Sequence, residues 1–148
     1  MHIQVDQSGK IEVPTVDTVL AFSNEITATL LVPAAAKRET YQSLKSRGVK
    51  PKMIGIRMFA AGLFLLLRDH LAVIDTVTVD VEFEGWEGEI RGLLLGHIRQ
   101  QAPNFPKECI IFKHVGKKAR CHTIALATYR GKRRPDKRIT GEELLRFC

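Results

Sequence analysis

An aspartate stands in an apolar strand pattern near the start of the chain. Asp6 follows Ile3 and Val5 and precedes the turn signal Ser8-Gly9. A carboxylate held at the end of a buried strand can bind a divalent metal ion, because hard cations prefer oxygen ligands. An aspartate at such a place can also simply bond the backbone of its own turn. Both interpretations of Asp6 stay open at the level of the residues.

A second group of acids lies on one side of the strongest strand pattern in the chain, residues 76–84. Apolar and polar residues alternate strictly there, which predicts a strand with one buried face. Asp80, Glu82 and Glu84 share the polar side and would repel one another unless a cation or basic groups lie between them. An exposed antiparallel strand alternates in the same way, so a functional row and a plain surface both stay open. Asp80 and Glu82 are the candidates for joining Asp6 in one site.

Positive charge is concentrated in the last quarter of the chain. Residues 113–148 hold eleven Lys and Arg against three acids, whereas residues 1–112 hold twelve against thirteen. Such a bias is greater than that of an ordinary mixed surface, and it predicts contact with a polyanion, most commonly nucleic acid. A solvated tail would have the same composition. The candidate nucleic-acid-binding residues are Lys117, Lys118, Arg120, Arg130, Lys132, Arg133 and Arg134.

Length and composition fit one globular domain. The 148 residues are 45% hydrophobic and 26% charged, which are values of folded rather than disordered proteins. The three cysteines lack Cys-x-x-Cys spacing, and we see no signal-peptide pattern, so we expect a cytoplasmic protein with reduced thiols. The longest apolar run, residues 58–67, is about half as long as a membrane span. We therefore expect no membrane partner.

The remaining patterns predict the elements that must position these residues. Strand patterns before Ser8-Gly9, at 18–22 and at 27–32 predict an antiparallel three-stranded meander. Residues 34–46 stay undecided. A buried helix over 52–73, a strand over 76–84, an amphipathic helix over 87–101 and a strand over 108–115 follow.

Two short elements are predicted at the end of the chain. Residues 119–129 favour a helix over a second hairpin strand, because alanine forms helices well and strands poorly. Gly131 would end that helix. The sequence Thr140-Gly141-Glu142-Glu143 predicts a capping box that opens a short final helix.

This order of elements resembles the ribonuclease H-like fold, which is shared by ribonucleases H, RuvC-type resolvases, integrases and Argonaute slicer domains. The resemblance covers residues 2–130 and implies an α/β fold in a single domain. Its mixed sheet would contain three antiparallel strands, followed by the order α-β-α-β-α. Residues 1–130 would form this domain, and residues 131–148 a basic C-terminal extension with the short final helix.

The resemblance also implies a two-metal nuclease site. In that family, carboxylates from the first strand, from the fourth strand or the preceding helix, and from the last helix hold two Mg²⁺ ions. Asp6 matches the first position and Glu82 or Asp80 the second, so Asp6 and Glu82 are the predicted ligands of Mg²⁺ or Mn²⁺. The last helix departs from the pattern, because residues 117–130 contain no acid. His122 is the candidate there.

Three functional hypotheses stay open. The first is a metal-dependent nuclease or resolvase, a phosphodiester hydrolase with Asp6, Asp80, Glu82 and His122 as catalytic residues. The second is a non-catalytic nucleic-acid-binding or assembly subunit with an incomplete metal site, which the missing third carboxylate favours. The third is an interaction protein whose basic tail docks an acidic partner. The sequence does not separate DNA, RNA and hybrid substrates, and a homodimer is possible.

Overall fold

Six strands form one mixed sheet in this α/β protein, and the computed structural model describes residues 1–148. The strands are β1 (His2–Ser8), β2 (Thr18–Ser23), β3 (Thr27–Val32), β4 (Thr76–Asp80), β5 (Ile110–Lys113) and β6 (Lys137–Arg138). Their order across the sheet is β5-β4-β1-β2-β3-β6. The first three pair antiparallel, which confirms the predicted meander. The outer strands β4, β5 and β6 pair parallel to their neighbours.

Five helices connect or cover these strands. They are α1 (Ala34–Ser46), α2 (Pro51–Leu67), α3 (Glu87–Gln101), α4 (Arg120–Tyr129) and α5 (Gly141–Arg146). The undecided segment 34–46 is thus a helix, and the preference for a helix over 119–129 is confirmed. The long helix predicted to Val73 instead leaves α-helical geometry at Leu67 and continues as a 3₁₀ turn. None of these helices has the combined length and apolar character that crossing a membrane requires.

The two faces of the sheet are covered unequally. A core of 33 buried residues lies between one face and the helices α1, α2, α3 and α5. Helix α2 occupies its centre, as its apolar circumference predicts, and Gly62 lets it approach Leu20 of β2 closely, since a Cβ there would lie 2.9 Å from Leu20 Cδ1. The other face carries α4 alone, which packs on the sheet through a cluster of five buried residues, two of them its own. Side chains alternate across the pleat, so Asp6 points to the α4 side while Val5 enters the large core.

A lysine lies inside the core and fastens the loop between β1 and β2. Only 1% of Lys37 is exposed. Its ammonium group donates hydrogen bonds to Lys10 O (3.2 Å), Val13 O (2.6 Å) and Thr18 Oγ1 (3.0 Å). Burial lowers its pKa to about 8, although Asp17 and Glu12 oppose this shift. The pattern of α1 was undecided from sequence partly because one of its inward positions is charged.

The last eighteen residues contribute to the same sheet and the same core. Strand β6 pairs with β3, and the Asp136 carboxylate accepts hydrogen bonds from the backbone and hydroxyl of Thr29. The predicted capping box is present, with Thr140 and Glu143 each accepting from the other's backbone N–H. Leu144 of α5 is fully buried against the large core. The sheet and the core therefore hold the backbone of this segment in place, and its basic side chains extend from that backbone.

Candidate metal centre

Three carboxylates meet at the ends of β1 and β4. These strands are parallel neighbours with Val5 opposite Val79, so Asp6 and Asp80 leave the sheet side by side. Glu82 follows two residues beyond β4. One oxygen from each of the three lies within 4.8 Å of the others. Asp6 is buried, and Asp80 and Glu82 are half-buried. The carboxyl ends of parallel strands are a common location for ligand sites in α/β sheets.

The prediction of a regular strand through Glu84 is wrong, and the departure shapes the site. Strand β4 ends at Asp80. Phe83 then turns into the large core, where its ring centroid lies 5.6 Å from that of Phe59. Phe83 keeps the buried side that alternation predicts, but the chain beyond Asp80 no longer runs as a strand. Glu82 joins Asp80 and Asp6, whereas Glu84 is exposed and lies 3.9 Å from His114.

His122 reaches the cluster from the first turn of α4. Its Nδ1 lies 2.6 Å from Oδ2 of Asp6, and the other Asp6 oxygen accepts a hydrogen bond from the Gln7 backbone N–H at 2.8 Å. The side chain of His122 is 29% exposed. The structure thus brings the predicted histidine to the predicted first-strand aspartate. His122 offers no ligand atom within 4.8 Å of all three carboxylates. It contacts the cluster through its bond to Asp6.

Negative charge in the cluster is not balanced by any lysine or arginine, and His122 is its one basic partner. No lysine or arginine forms an ion pair with Asp6, Asp80 or Glu82. Burial raises the pKa of Glu82 to about 8, and a hydrogen bond to Asp80 and the charges of Asp80 and Asp6 add to this effect. Burial and the charge of Asp80 also raise the pKa of Asp6, while the bond to His122 opposes the change. A divalent cation would relieve this repulsion.

A buried amide beside the carboxylates was not predicted as a site residue. Gln7 is 9% exposed, and neither polar atom of its side chain has a hydrogen-bond partner. The amide lies next to the Glu82 carboxyl, whose ionised form it favours, without reaching hydrogen-bond geometry. Its position two residues after Val5 was a usable signal, because strand alternation places it on the buried face. An orphaned amide oxygen beside Glu82 is consistent with a site for a hard cation.

The seven predicted nucleic-acid-binding residues are exposed and surround α4. Lys117, Lys118 and Arg120 lie at its start, and Arg130, Lys132, Arg133 and Arg134 lie at its end. None of them forms an ion pair within the chain. Three of the seven, Lys117, Arg130 and Lys132, line one open groove together with His122. Positive charge is therefore available next to the carboxylate cluster.

No family model, curated protein or solved structure matches this chain with significance. The functional argument consequently depends on the geometry of the cluster and of its surroundings.

The donor set favours a hard divalent cation over a soft one. All three clustered ligands are carboxylate oxygens, which suit Mg²⁺ or Mn²⁺. The nearest thiol, Cys121, is buried under α4, and burial together with the charge of Asp6 raises its pKa to about 11. That thiol stays protonated at neutral pH and is a poor ligand. The residues present fit the predicted Mg²⁺ or Mn²⁺, with Asp80 as a third carboxylate beside the predicted ligands Asp6 and Glu82.

Proposed function

We propose that this protein is a Mg²⁺- or Mn²⁺-dependent phosphodiester hydrolase acting on nucleic acid, of ribonuclease H-like fold. The observation that carries the proposal is the compact group of Asp6, Asp80 and Glu82, which has no lysine or arginine partner and lies next to the unpaired cations at the two ends of α4. Carboxylates held this close without a lysine or arginine partner repel one another and destabilise the folded chain. A bound cation would offset this repulsion and so explain why the three acids lie together. The basic residues supply attraction for the phosphate chain that such an enzyme would cleave.

The chain's own residues divide the work in this proposal. Asp6, Asp80 and Glu82 would hold the cation, and when bound it would supply Lewis-acid activation of water and of the phosphodiester. His122 fixes the orientation of the Asp6 carboxylate through the 2.6 Å contact. The backbone N–H of Val115 donates to Asp80 Oδ1 at 2.6 Å and holds that side chain in place. Glu82 releases its proton before it can act as a ligand.

The element order supports the ribonuclease H-like part of the proposal. The three antiparallel strands come first, and α2, β4, α3, β5 and α4 follow in the order that the resemblance implies. Asp6 and Asp80 lie on the first and fourth strands, where that family carries its acids. The last helix still departs from the pattern of that family, because α4 carries His122 and no carboxylate. In this chain Glu82 would take the third acidic position from the segment after β4.

Substitution of the most buried acid tests the proposal. Asp6→Asn keeps the size of the side chain but removes the charge, so metal-dependent cleavage should disappear while nucleic-acid binding persists. Glu84→Gln is the matched control, because it removes an exposed carboxylate from the segment that carries Glu82. Labelled single-stranded, duplex, hybrid and junction substrates should be incubated with Mg²⁺ and with Mn²⁺. Absence of metal-dependent cleavage of all four by the wild-type protein would refute the hydrolase.

The contact between His122 and Asp6 also favours a second candidate. A histidine already bonded to the first-strand aspartate could mark a site that keeps the fold and binds nucleic acid without cleaving it. This non-catalytic subunit predicts that calorimetry detects no Mn²⁺ binding and that Asp6→Asn changes neither cleavage nor affinity. Mn²⁺ binding that Asp6→Asn removes would decide for the hydrolase.

A further inference from the structure

An open groove follows the outer face of α4 and begins beside the carboxylate cluster. We call it the α4 groove and define it by Lys117, His122, Leu126, Ala127, Arg130 and Lys132. Its volume is about 350 Å³, which lies at the lower end of the range for small-molecule sites, about 300–1,000 Å³. The opposite face of α4 is buried against β2 and β1, so the two faces of this helix serve different purposes.

The floor of the groove is apolar and its two ends are polar. Leu126 and Ala127 form the floor and are half-buried although no element of the fold packs over them. His122 and Arg130 are eight residues apart, which is about 12 Å along a helix. No acidic residue lines the groove, and Lys117, Arg130 and Lys132 form no ion pairs within the chain. An apolar surface between cations suits an amphipathic anion.

The position of Lys132 is fixed by the way α4 ends. Gly131 has a φ of 75°, a left-handed conformation that favours glycine. Its N–H donates to Thr128 O at 3.1 Å, and the N–H of Lys132 donates to Ala127 O at 2.9 Å. These two bonds form a Schellman motif, which turns the chain back over the last turn of the helix. Lys132 therefore sits at the end of the groove, whereas its neighbour Arg133 does not line it.

We propose that the α4 groove binds one nucleotide unit of a single nucleic-acid strand, adjoining the phosphate presented to the carboxylate cluster. This inference rests on the proposed function and names the form of nucleic acid that the site takes. Arg130 and Lys132 hold a phosphate at the far end, and the sugar and base of one nucleotide cover Leu126 and Ala127. The chain then continues past His122 towards Asp6.

The apolar floor argues for a single strand over a duplex. A duplex presents phosphates on its outside and keeps its bases stacked inside, so it could bind the cations but would leave Leu126 uncovered. An unpaired strand can place a base or sugar on an apolar surface while its phosphates meet the flanking cations. The recognition chemistry is common to DNA and RNA, which the experiment distinguishes.

A matched pair of substitutions tests the groove. Lys132→Ala and Arg133→Ala each remove one exposed positive charge from adjacent residues, and only the first lines the groove. Binding of fluorescently labelled 12-nucleotide DNA and RNA strands is measured by anisotropy in EDTA at several salt concentrations. Lys132→Ala should weaken binding about tenfold, as expected for the loss of a hydrogen bond to a charged group. It should also reduce the slope of log K against log salt by about 0.7.

A third variant tests the floor separately from the charge. Leu126→Ser should weaken strand binding at every salt concentration while leaving the salt slope unchanged, because no phosphate contact is lost. Circular dichroism establishes that its fold is intact. The corresponding 12-base-pair duplex should bind more weakly than either strand and should not respond to Leu126→Ser.

The proposal is overturned if Lys132→Ala and Arg133→Ala have equal effects, or if Leu126→Ser changes nothing. It is also overturned if polyglutamate displaces the strand at equal charge concentration, which would identify the groove as a general anion surface or a site for an acidic protein. All of these measurements are made without a divalent metal. Failure of the cleavage test with Asp6→Asn would therefore remove the hydrolase and leave the result on the groove intact.

Discussion

Replacing Glu82 by glutamine should stabilise the metal-free protein, and the gain should grow with pH. The pKa of Glu82 is raised from 4.5 to about 8 in the folded chain. Between these values the folded state holds a proton that the unfolded state has lost, so the free energy of unfolding falls as the pH rises. Glu82→Gln keeps the shape of the side chain and removes this titration. The wild-type protein should therefore lose stability relative to the variant from pH 5 to pH 8.

The size of the effect follows from the shift and from the exposure of the group. A shift from 4.5 to about 8 corresponds to about 5 kcal/mol if the group were fully shielded from solvent. Glu82 is only half-buried, so screening by water reduces the expected difference to about 1–2 kcal/mol. For a chain of this length, that difference corresponds to about 3–8 °C in Tm.

Urea unfolding monitored by circular dichroism in EDTA at pH 5, 6, 7 and 8 measures this difference. Glu84→Gln is the control, because it removes an exposed carboxylate from the same segment of the chain. Addition of Mn²⁺ at pH 8 should stabilise the wild-type protein more than Glu82→Gln, since a ligand of the folded state raises stability by mass action. A constant difference between wild type and Glu82→Gln across this pH range would show that Glu82 is not buried beside Asp80 and Asp6 as described.

Two further predictions concern the body of the fold. Burial lowers the pKa of Lys37 to about 8, so the folded state releases this proton at a lower pH than the unfolded state does. Between pH 8 and pH 10 the free energy of unfolding of the wild-type protein should therefore rise relative to that of Lys37→Met by about 2–3 kcal/mol. Urea unfolding checks this, and a difference that is independent of pH would mean that the ammonium group is not desolvated. Leu144→Ala should destabilise the whole protein by about 2–5 kcal/mol, because it leaves a cavity in the large core. The half-buried Leu145→Ala should cost less, and unaltered global unfolding of Leu144→Ala would show that α5 is not integrated with the domain.

Elements with a local pattern were predictable from sequence, such as α3 and the capped helix α5, and elements that depend on distant contacts were not. The bounds of α3 match the prediction, because acids at its start and apolar residues at helical spacing define it locally. Strand β6 has two residues and exists through its pairing with Leu30 and Leu31, more than a hundred positions earlier in the chain. No local pattern can indicate such a contact. Helix α1 could not be assigned for a related reason. The groups that accept hydrogen bonds from the buried ammonium of Lys37 lie in the distant loop after β1.

The candidate site was predictable as a set of acids but not as an arrangement. Asp6 was assigned from its place in the first strand, and Asp80 and Glu82 were alternatives for one position. Both join the cluster because alternation places them on the same side of the segment, but the end of β4 at Asp80, which separates Glu84 from them, has no signal in the alternation. Gln7 was overlooked because acids were sought on the polar face, whereas its side chain is buried beside Glu82.

The unequal covering of the sheet has a consequence for motion in this protein. Helix α4 and the sheet under it share a cluster of only five buried residues, whereas the cluster on the opposite side has 33. Local opening costs least where the fewest apolar contacts are lost, so the amides of α4 should exchange with solvent sooner than those of α2. One end of α4 touches β1 through His122 on Asp6, and the other end touches the turn after β1 through Tyr129 packed against Gly9. Transient detachment of this one helix would therefore separate His122 from Asp6 while the three carboxylates and most of the protein keep their places.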